Sequence, residues 1–453
     1  MTNSTTAKPR AQFSSKLGFV LAAAGSAVGL GNIWGFPTQT ATNGGAAFLL
    51  VYLLMVVILG YPLLVAELAI GRYSQANPVK SASAIVPAAF RLPARGLAFV
   101  GLLTASAILS FYAILAGWLV GFFASPVFEL LGMTATSEWL ESTSSTSSSF
   151  VTMALFMGAT IYIVKNGVSE GIECWSTRLM PLLVVLFLVL IGYILTQDGA
   201  KDGLIMYLKP DFSHISGDMI HNAMGQAFFS LSIGACTMMV YGSYLKKDAS
   251  LPKTAAQVAM IDTGIAFIAG LLILPAMFVA QNNGVAIYDD NGSLLQSGGL
   301  VFSVLPAMFG TMGGMGLAVA FVFFALMVIA ALTSSISLLE VPVSTVSEEF
   351  GLERKKTAWL IGGLITAFSS LIVLNQDPLF DIVVVASTEY AQPILGLLFA
   401  LLVGWVWRRD KLLNELKQGH PELETGWFWK IWPWYVRVVC PLLMLFVFVK
   451  SLL

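Results

Sequence analysis

AGSAVGLGNIWGFP, residues 24 to 37, governs the reading of this chain. The stretch sits inside an apolar segment that begins near Leu17, and it places Gly25, Gly29 and Gly31 just ahead of Asn32 and Pro37. A glycine within a helix costs about 1 kcal/mol relative to alanine, and proline withholds a backbone donor. Lipid cannot satisfy the peptide groups that such a break frees, so the break must face protein or a cavity. Gly25 and Gly29 also have the spacing of small residues that let membrane helices pack closely. Packing alone accounts less well for the Asn32 and Pro37 that follow.

Outside this stretch the chain is equally apolar. Of 453 residues, 57% are hydrophobic and 11% charged, whereas a soluble domain carries roughly a quarter of its residues charged. A membrane-crossing helix needs about 20 mainly apolar residues. Eleven stretches qualify, beginning near Leu17, Ala46, Leu97, Phe150, Pro181, Met219, Thr254, Gly316, Ala358, Ile382 and Ile431. The sixth is interrupted like the first, by Gly225, Ser230, Ser232, Gly234 and Gly242. Matching interruptions five segments apart point to two inverted repeats of five crossings, with the binding site at the breaks.

The predicted organisation is a tail over 1–16, a first repeat over 17–200 and a second over 201–407 with an outer loop at 283–315. An inner loop over 408–430 and a last helix over 431–453 complete the chain. The Ser/Thr run from Thr143 to Ser149 reads as a polar loop. All but three of the 24 Lys and Arg (Lys201, Lys209 and Lys450) fall in the tail, in alternate loops or at the start of the last helix. The positive-inside rule then predicts a multi-pass plasma-membrane protein, N-terminus cytoplasmic and C-terminus extracellular. Cys174, Cys236 and Cys440 are unclustered, which suggests neither a disulfide framework nor a cysteine metal site. No phosphate loop, HExxH or catalytic triad stands at usable spacing, so an enzyme is not expected, nor is nucleic-acid binding.

Taken with NGGAAF (43–48), GYPLLVAELAIGRY (60–73), GQAFFSLSIG (225–234) and ALTSSIS (331–337), the opening stretch closely resembles the neurotransmitter:sodium symporter family, especially its bacterial amino-acid members. The resemblance covers almost the whole chain. It implies an all-α polytopic protein with a 5+5 inverted repeat, helices one and six unwound at mid-membrane, one extra helix, and sodium-coupled uptake of hydrophobic L-amino acids by alternating access. A facilitative carrier and a non-transporting sensor are the other functions these residues allow. Oligomeric state is open.

The same resemblance implies two co-transported sodium ions. One site, Na2, would take the carbonyls of Gly25, Val28 and Ala330 with the hydroxyls of Thr333 and Ser334. Read by themselves, those two hydroxyls could equally bond back to their own helix. The other, Na1, would take the Ala27 carbonyl, Asn32, Ser230 and, by ungapped counting along segment seven, Asp262. An ionisable group inside a membrane helix is a functional candidate, although a structural polar pair is the alternative. A carboxylate there supplies the negative charge that chloride brings in some relatives, so chloride is not expected to be required.

For the substrate, the resemblance implies that the freed amides of Ala27, Gly29 and Gly31, the Tyr112 hydroxyl and the Na1 ion meet the carboxylate. Phe229, Ser230 and Ser232 would receive the ammonium, and Ile108, Phe229, Ala235, Ser334 and Leu338 would surround the side chain. Ala235 leaves room for bulky or aromatic groups. Glu67 reads as a carboxylate bracing the break in segment six, since buried carboxylates need partners. Arg10 and Glu348 match a cytoplasmic gate pair, with Phe229 and Tyr112 closing from outside because the family's outer arginine is Gly35 here; Thr388 or Glu389 lies where its acidic partner would stand. Gly171 and Pro181 predict an unwinding start to segment five that lets water reach Na2.

Overall fold

In the computed structural model, residues 10–287 and 300–451 are described. The first nine residues of the expected tail, positions 288–299 of the expected outer loop and the last two positions lie outside the described residues. All regular structure among the described residues is helical.

Among the described residues, eight continuous helices are long and apolar enough to cross a membrane: Ala46–Ser74, Ala88–Leu130, Thr146–Val164, Val168–Ile194, Leu251–Asn282, Gly314–Phe350, Arg354–Leu374 and Pro378–Val406. Lys16–Ala27 and Gly31–Thr42 form a ninth, bent pair, turned by 55° at the break. Segment six is in two pieces, Gly217–Ser230 and Thr237–Ser243, and the last segment is helical in consecutive pieces from Trp427 to Ser451. Large apolar side chains such as Leu103, Leu155, Leu188, Leu364 and Leu371 are exposed on the outward faces of segments three, four, five and nine. That perimeter suits a solvent of hydrocarbon, where a soluble protein would place charges.

The two broken segments lie inside this ring. Gly18 and every residue from Ala22 to Ala27 are buried. The long helices of segments three (Ala88–Leu130) and eight (Gly314–Phe350) pack along each other, and segments five, seven and eight hold the first half of segment one. Segment six stops at Ser230 because its next residues cannot be α-helical. Ser232, Gly234 and Cys236 have φ of 53°, 88° and 60°, left-handed values that cost a non-glycine residue about 1–2 kcal/mol. Among the described residues only Gln75 shares that conformation with Ser232 and Cys236 outside glycine, so the strain is concentrated at the break. Gly234 also lies against the Gln392 carbonyl, where a Cβ would collide.

Several boundaries differ from expectation: Leu300–Val304 and Leu305–Thr311 are helical within the expected outer loop, Arg409–Lys417 is helical within the expected inner loop, and the last segment starts at Trp427. Segment four starts at Thr146, since Ser145 caps it by accepting the Ser148 N–H, and this draws half of the predicted polar loop into a helix. Segment five starts at Val168 and is wound through Gly171 and Pro181, so the predicted unwinding is not present in this conformation. Glu173 holds this end in place: its carboxylate accepts from Ser14 N–H at 2.7 Å and from the Ser14 hydroxyl at 2.6 Å. Gly171, lacking a Cβ, lets the Ile163 carbonyl approach.

Candidate functional site: a cavity between two broken helices

The break in segment one frees carbonyls that segment eight meets with hydroxyls. Ser334 Oγ donates to Val28 O at 2.9 Å and stands 3.2 Å from Ser26 O and 3.5 Å from Gly25 O. Thr333 Oγ1 is 3.0 Å from Ala330 O, 3.3 Å from Ile329 O and 3.5 Å from Val28 O. Thr333 thus bonds its own helix while facing the break, whereas Ser334 reaches across. The five oxygens named for Na2 converge in a buried, uncharged cluster of the kind a hard cation takes in place of water. Gly25 leaves the space for it, since a Cβ there would stand 3.3 Å from both Thr333 Cβ and Met180 Sδ.

A second cluster lies between segments one, six and seven. Asn32 Nδ2 donates to Asp262 Oδ1 at 2.8 Å, Asp262 O at 3.1 Å and Ser230 Oγ at 3.0 Å, and Ser230 Oγ donates to Asp262 Oδ2 at 2.8 Å. All three are buried. Asn32 Oδ1 accepts the Gly29 N–H at 3.1 Å, so half of this amide satisfies the break itself. Turning the amide over would direct Oδ1 at the Ser230 and Asp262 oxygens and create a cation site with a formal negative charge. Ala27, the fourth residue named for Na1, lines the neighbouring cavity.

That cavity is tight in this conformation, about 30 Å³. Of the residues expected to bind substrate, Ala27, Gly29, Gly31, Ile108, Tyr112, Phe229, Ser232, Ala235, Ser334 and Leu338 line it. Ser230 does not; its hydroxyl is taken up by Asp262 and Asn32. Tyr112 OH accepts the Leu30 N–H at 3.2 Å, which leaves its own proton free to donate. Phe229 lies against Gly31, where a Cβ would come within 2.8 Å of the ring. Ser232 Oγ stands 3.4 Å from Ser26 O. The lining therefore combines Tyr112 and broken-helix peptide groups with the apolar side chains of Ile108, Ala235 and Leu338.

Gln392 also lines the cavity and was not anticipated. It is 2% exposed, and its Oε1 has no hydrogen-bond partner among the described residues. A single glutamine in segment ten carries no motif; only the packing of that helix against Gly234 brings it here. Gln226 was missed too. It donates to Gly31 O at 2.7 Å and fills the space beside Gly35, where the expected outer pair has no arginine. Thr388 bonds back to Val384 O at 2.8 Å, and Glu389 is exposed with no ion pair among the described residues.

The break in segment six is braced from segment two: Glu67 Oε1 accepts the Gly234 N–H at 2.6 Å. At the basic end of the molecule Arg10 pairs with Glu348, donates to Ser243 Oγ at 2.9 Å and lies over the Tyr244 ring. Glu348 in turn accepts the Asn77 N–H at 3.0 Å. Phe13 packs edge-on to Phe19 and Tyr241 just beneath.

The chain is similar to known transporters in sequence and fold. The family model described as the sodium:neurotransmitter symporter family matches residues 10–154 and 131–453. An uncharacterized sodium-dependent transporter of Bacillus subtilis, YhdH, is 34% identical over 97% of both chains. The sodium-dependent serotonin transporter of Drosophila melanogaster is 26% identical, over 99% of this chain and 78% of its own. Among solved structures, MhsT in complex with L-phenylalanine superposes with a TM-score of 0.82 at 37% identity, covering 98% of this chain and all of that one.

Proposed function

Since the chain belongs to the sodium:neurotransmitter symporter family, and is a multi-pass membrane protein of sodium-dependent transport, we propose that it imports hydrophobic and aromatic L-amino acids with two sodium ions. The observation that carries this reading is the cavity between the breaks. Its peptide groups and Tyr112 suit a zwitterion, Ile108, Ala235 and Leu338 suit an apolar side chain, and Ser334 and Ala27 link it to the two oxygen clusters.

Coupling follows from the charges. Half-helix amides and the Tyr112 hydroxyl stabilise a carboxylate, and a cation held by Asn32 and Asp262 stabilises it further, so ion and substrate each lower the cost of burying the other. The Gly25, Val28, Ala330, Thr333 and Ser334 cluster ties segment one to segment eight when it holds an ion. Arg10 with Glu348 closes the cytoplasmic side while Phe229 and Tyr112 cover the outer one. Asp262 supplies the anion at the first cation, so chloride is not needed. Gly171 and Pro181 let segment five open toward the second ion in the inward-facing state. The orientation is N-terminus inside, in the plasma membrane. MhsT holding L-phenylalanine at 37% identity supports the substrate class.

Labelled tryptophan uptake into proteoliposomes, driven by a sodium gradient or with sodium replaced by choline, tests the proposal. Accumulation above equilibrium only with sodium is expected. Undiminished equilibration in choline would instead select a facilitative carrier, and binding without counterflow a sensor.

A further inference from the structure

Beyond the transport site, a polar pocket lies between the ends of segments ten and eleven. Its volume is about 550 Å³, and it is lined by Arg408, Arg409, Lys430 and Arg437 together with tryptophans. Gly404 makes it possible, because the two helices approach there until a Cβ would meet the Arg437 backbone at 2.6 Å.

The charges in this pocket are not neutralised from within. Arg408 is paired with Asp410 at 2.9 Å. Glu415, the next acid along, is consumed by Arg72 at 2.6 Å and Lys247 at 3.0 Å. Arg409, Lys430 and Arg437 have no carboxylate partner among the described residues; each is stacked on an indole, of Trp429, Trp427 and Trp405 in turn. The stacking holds the guanidinium planes in place while leaving N–H groups to face an anion. Trp407, 4% exposed, lines the same pocket, and its Nε1 has no hydrogen-bond partner among the described residues.

The rim is of the opposite character. Trp405, Trp427, Ile431 and Trp434 are 50% to 80% exposed, which is the side-chain chemistry of the boundary between headgroups and acyl chains. A soluble anion has no use for such a rim. Basic pockets between membrane helices near one surface are suited to lipid phosphates. We propose that this pocket binds the headgroup of an anionic phospholipid, the phosphate meeting Arg409, Lys430 and Arg437 while the acyl chains run along the exposed tryptophans.

The experiment is native mass spectrometry of the full-length protein in detergent, offered phosphatidylglycerol and phosphatidylcholine with identical acyl chains. At about fivefold per surface cation, wild type should retain phosphatidylglycerol over phosphatidylcholine severalfold, and Arg409→Gln with Lys430→Gln should bring the two lipids near parity. Both residues are exposed, and raising salt on the unaltered protein gives a second reading: the preference should fall, because salt screens the attraction for the anionic headgroup. Equal retention of the two lipids by wild type, a preference that survives the double substitution, or displacement of phosphatidylglycerol by millimolar inorganic phosphate would overturn the proposal.

Discussion

Asp262 and Gln392 are two buried polar side chains with opposite fates in the sequence. Asp262 stands out as a charge in an apolar helix, and the structure places it on Asn32 and Ser230. Asp262→Asn keeps the shape and removes the charge. Sodium half-saturation for uptake should then rise at least tenfold, about 1.4 kcal/mol, and chloride, inert for wild type, should recover part of the loss. Sodium titrations of uptake in chloride and in gluconate decide it, and a variant that titrates like wild type in both would rule out the charge argument. Gln392 gave no signal, because a lone glutamine acquires meaning only when helix packing points it into a cavity. Its unpartnered Oε1 can accept from a phenol or an indole. A site with an unpaired polar group discriminates against an analogue that cannot bond it. Gln392→Met should therefore lower the tyrosine-to-phenylalanine ratio in competition binding by about tenfold, mainly through tyrosine; a ratio that stays constant would show that the amide does not face the side chain.

Among the elements, the two broken segments were the legible part. Gly25 to Pro37 and Gly225 to Gly242 mark them by composition alone, since glycine, serine and asparagine are poor choices for a continuous apolar helix. Their extent was legible only roughly, because Ser232 and Cys236 adopt left-handed backbone that no local rule assigns to serine or cysteine. Segment five went the other way. Pro181 is a sequence signal for weakness, yet Glu173 and the tail serines hold that end wound in this conformation. Gly234 is where the break is least tolerant. Alanine there would adopt φ near 88° and drive its Cβ into the Gln392 carbonyl, losing about 1–2 kcal/mol to the backbone alone. Gly234→Ala should lower the thermal midpoint of the purified protein by several degrees and abolish substrate-induced stabilisation. Gly225→Ala, with open space around its Cβ, is the control and should leave both unchanged. Equal behaviour of the two variants would show that the turn at Gly234 is not what holds the break open.

At the scale of the whole molecule, the basic end is closed by a few contacts that join the tail to segments two, six and eight. Arg10 touches Glu348, Ser243 and Tyr244, and behind them Tyr244 OH donates to Glu340 at 2.6 Å while Arg354 pairs with the same carboxylate. Arg10 is 9% exposed and Glu348 32%, so the pair is half-screened and its removal should shift a population without unfolding the protein. When a binding-competent state falls to a tenth of the molecules, apparent affinity falls tenfold. Arg10→Ala should therefore weaken substrate binding several-fold and raise hydrogen exchange in the peptides over 237–245 and 340–348. Sodium should reverse both. An ion at Gly25, Val28 and Ser334 would bind between segments one and eight in the closed arrangement, and a ligand that prefers one state draws the population toward it. Exchange measured across a sodium titration carries the decision. If protection returns at high sodium, ion and gate are two handles on one equilibrium; if the affinity loss is the same at every sodium concentration, Arg10 acts on the cavity by some other route, and the closed end has no part in coupling.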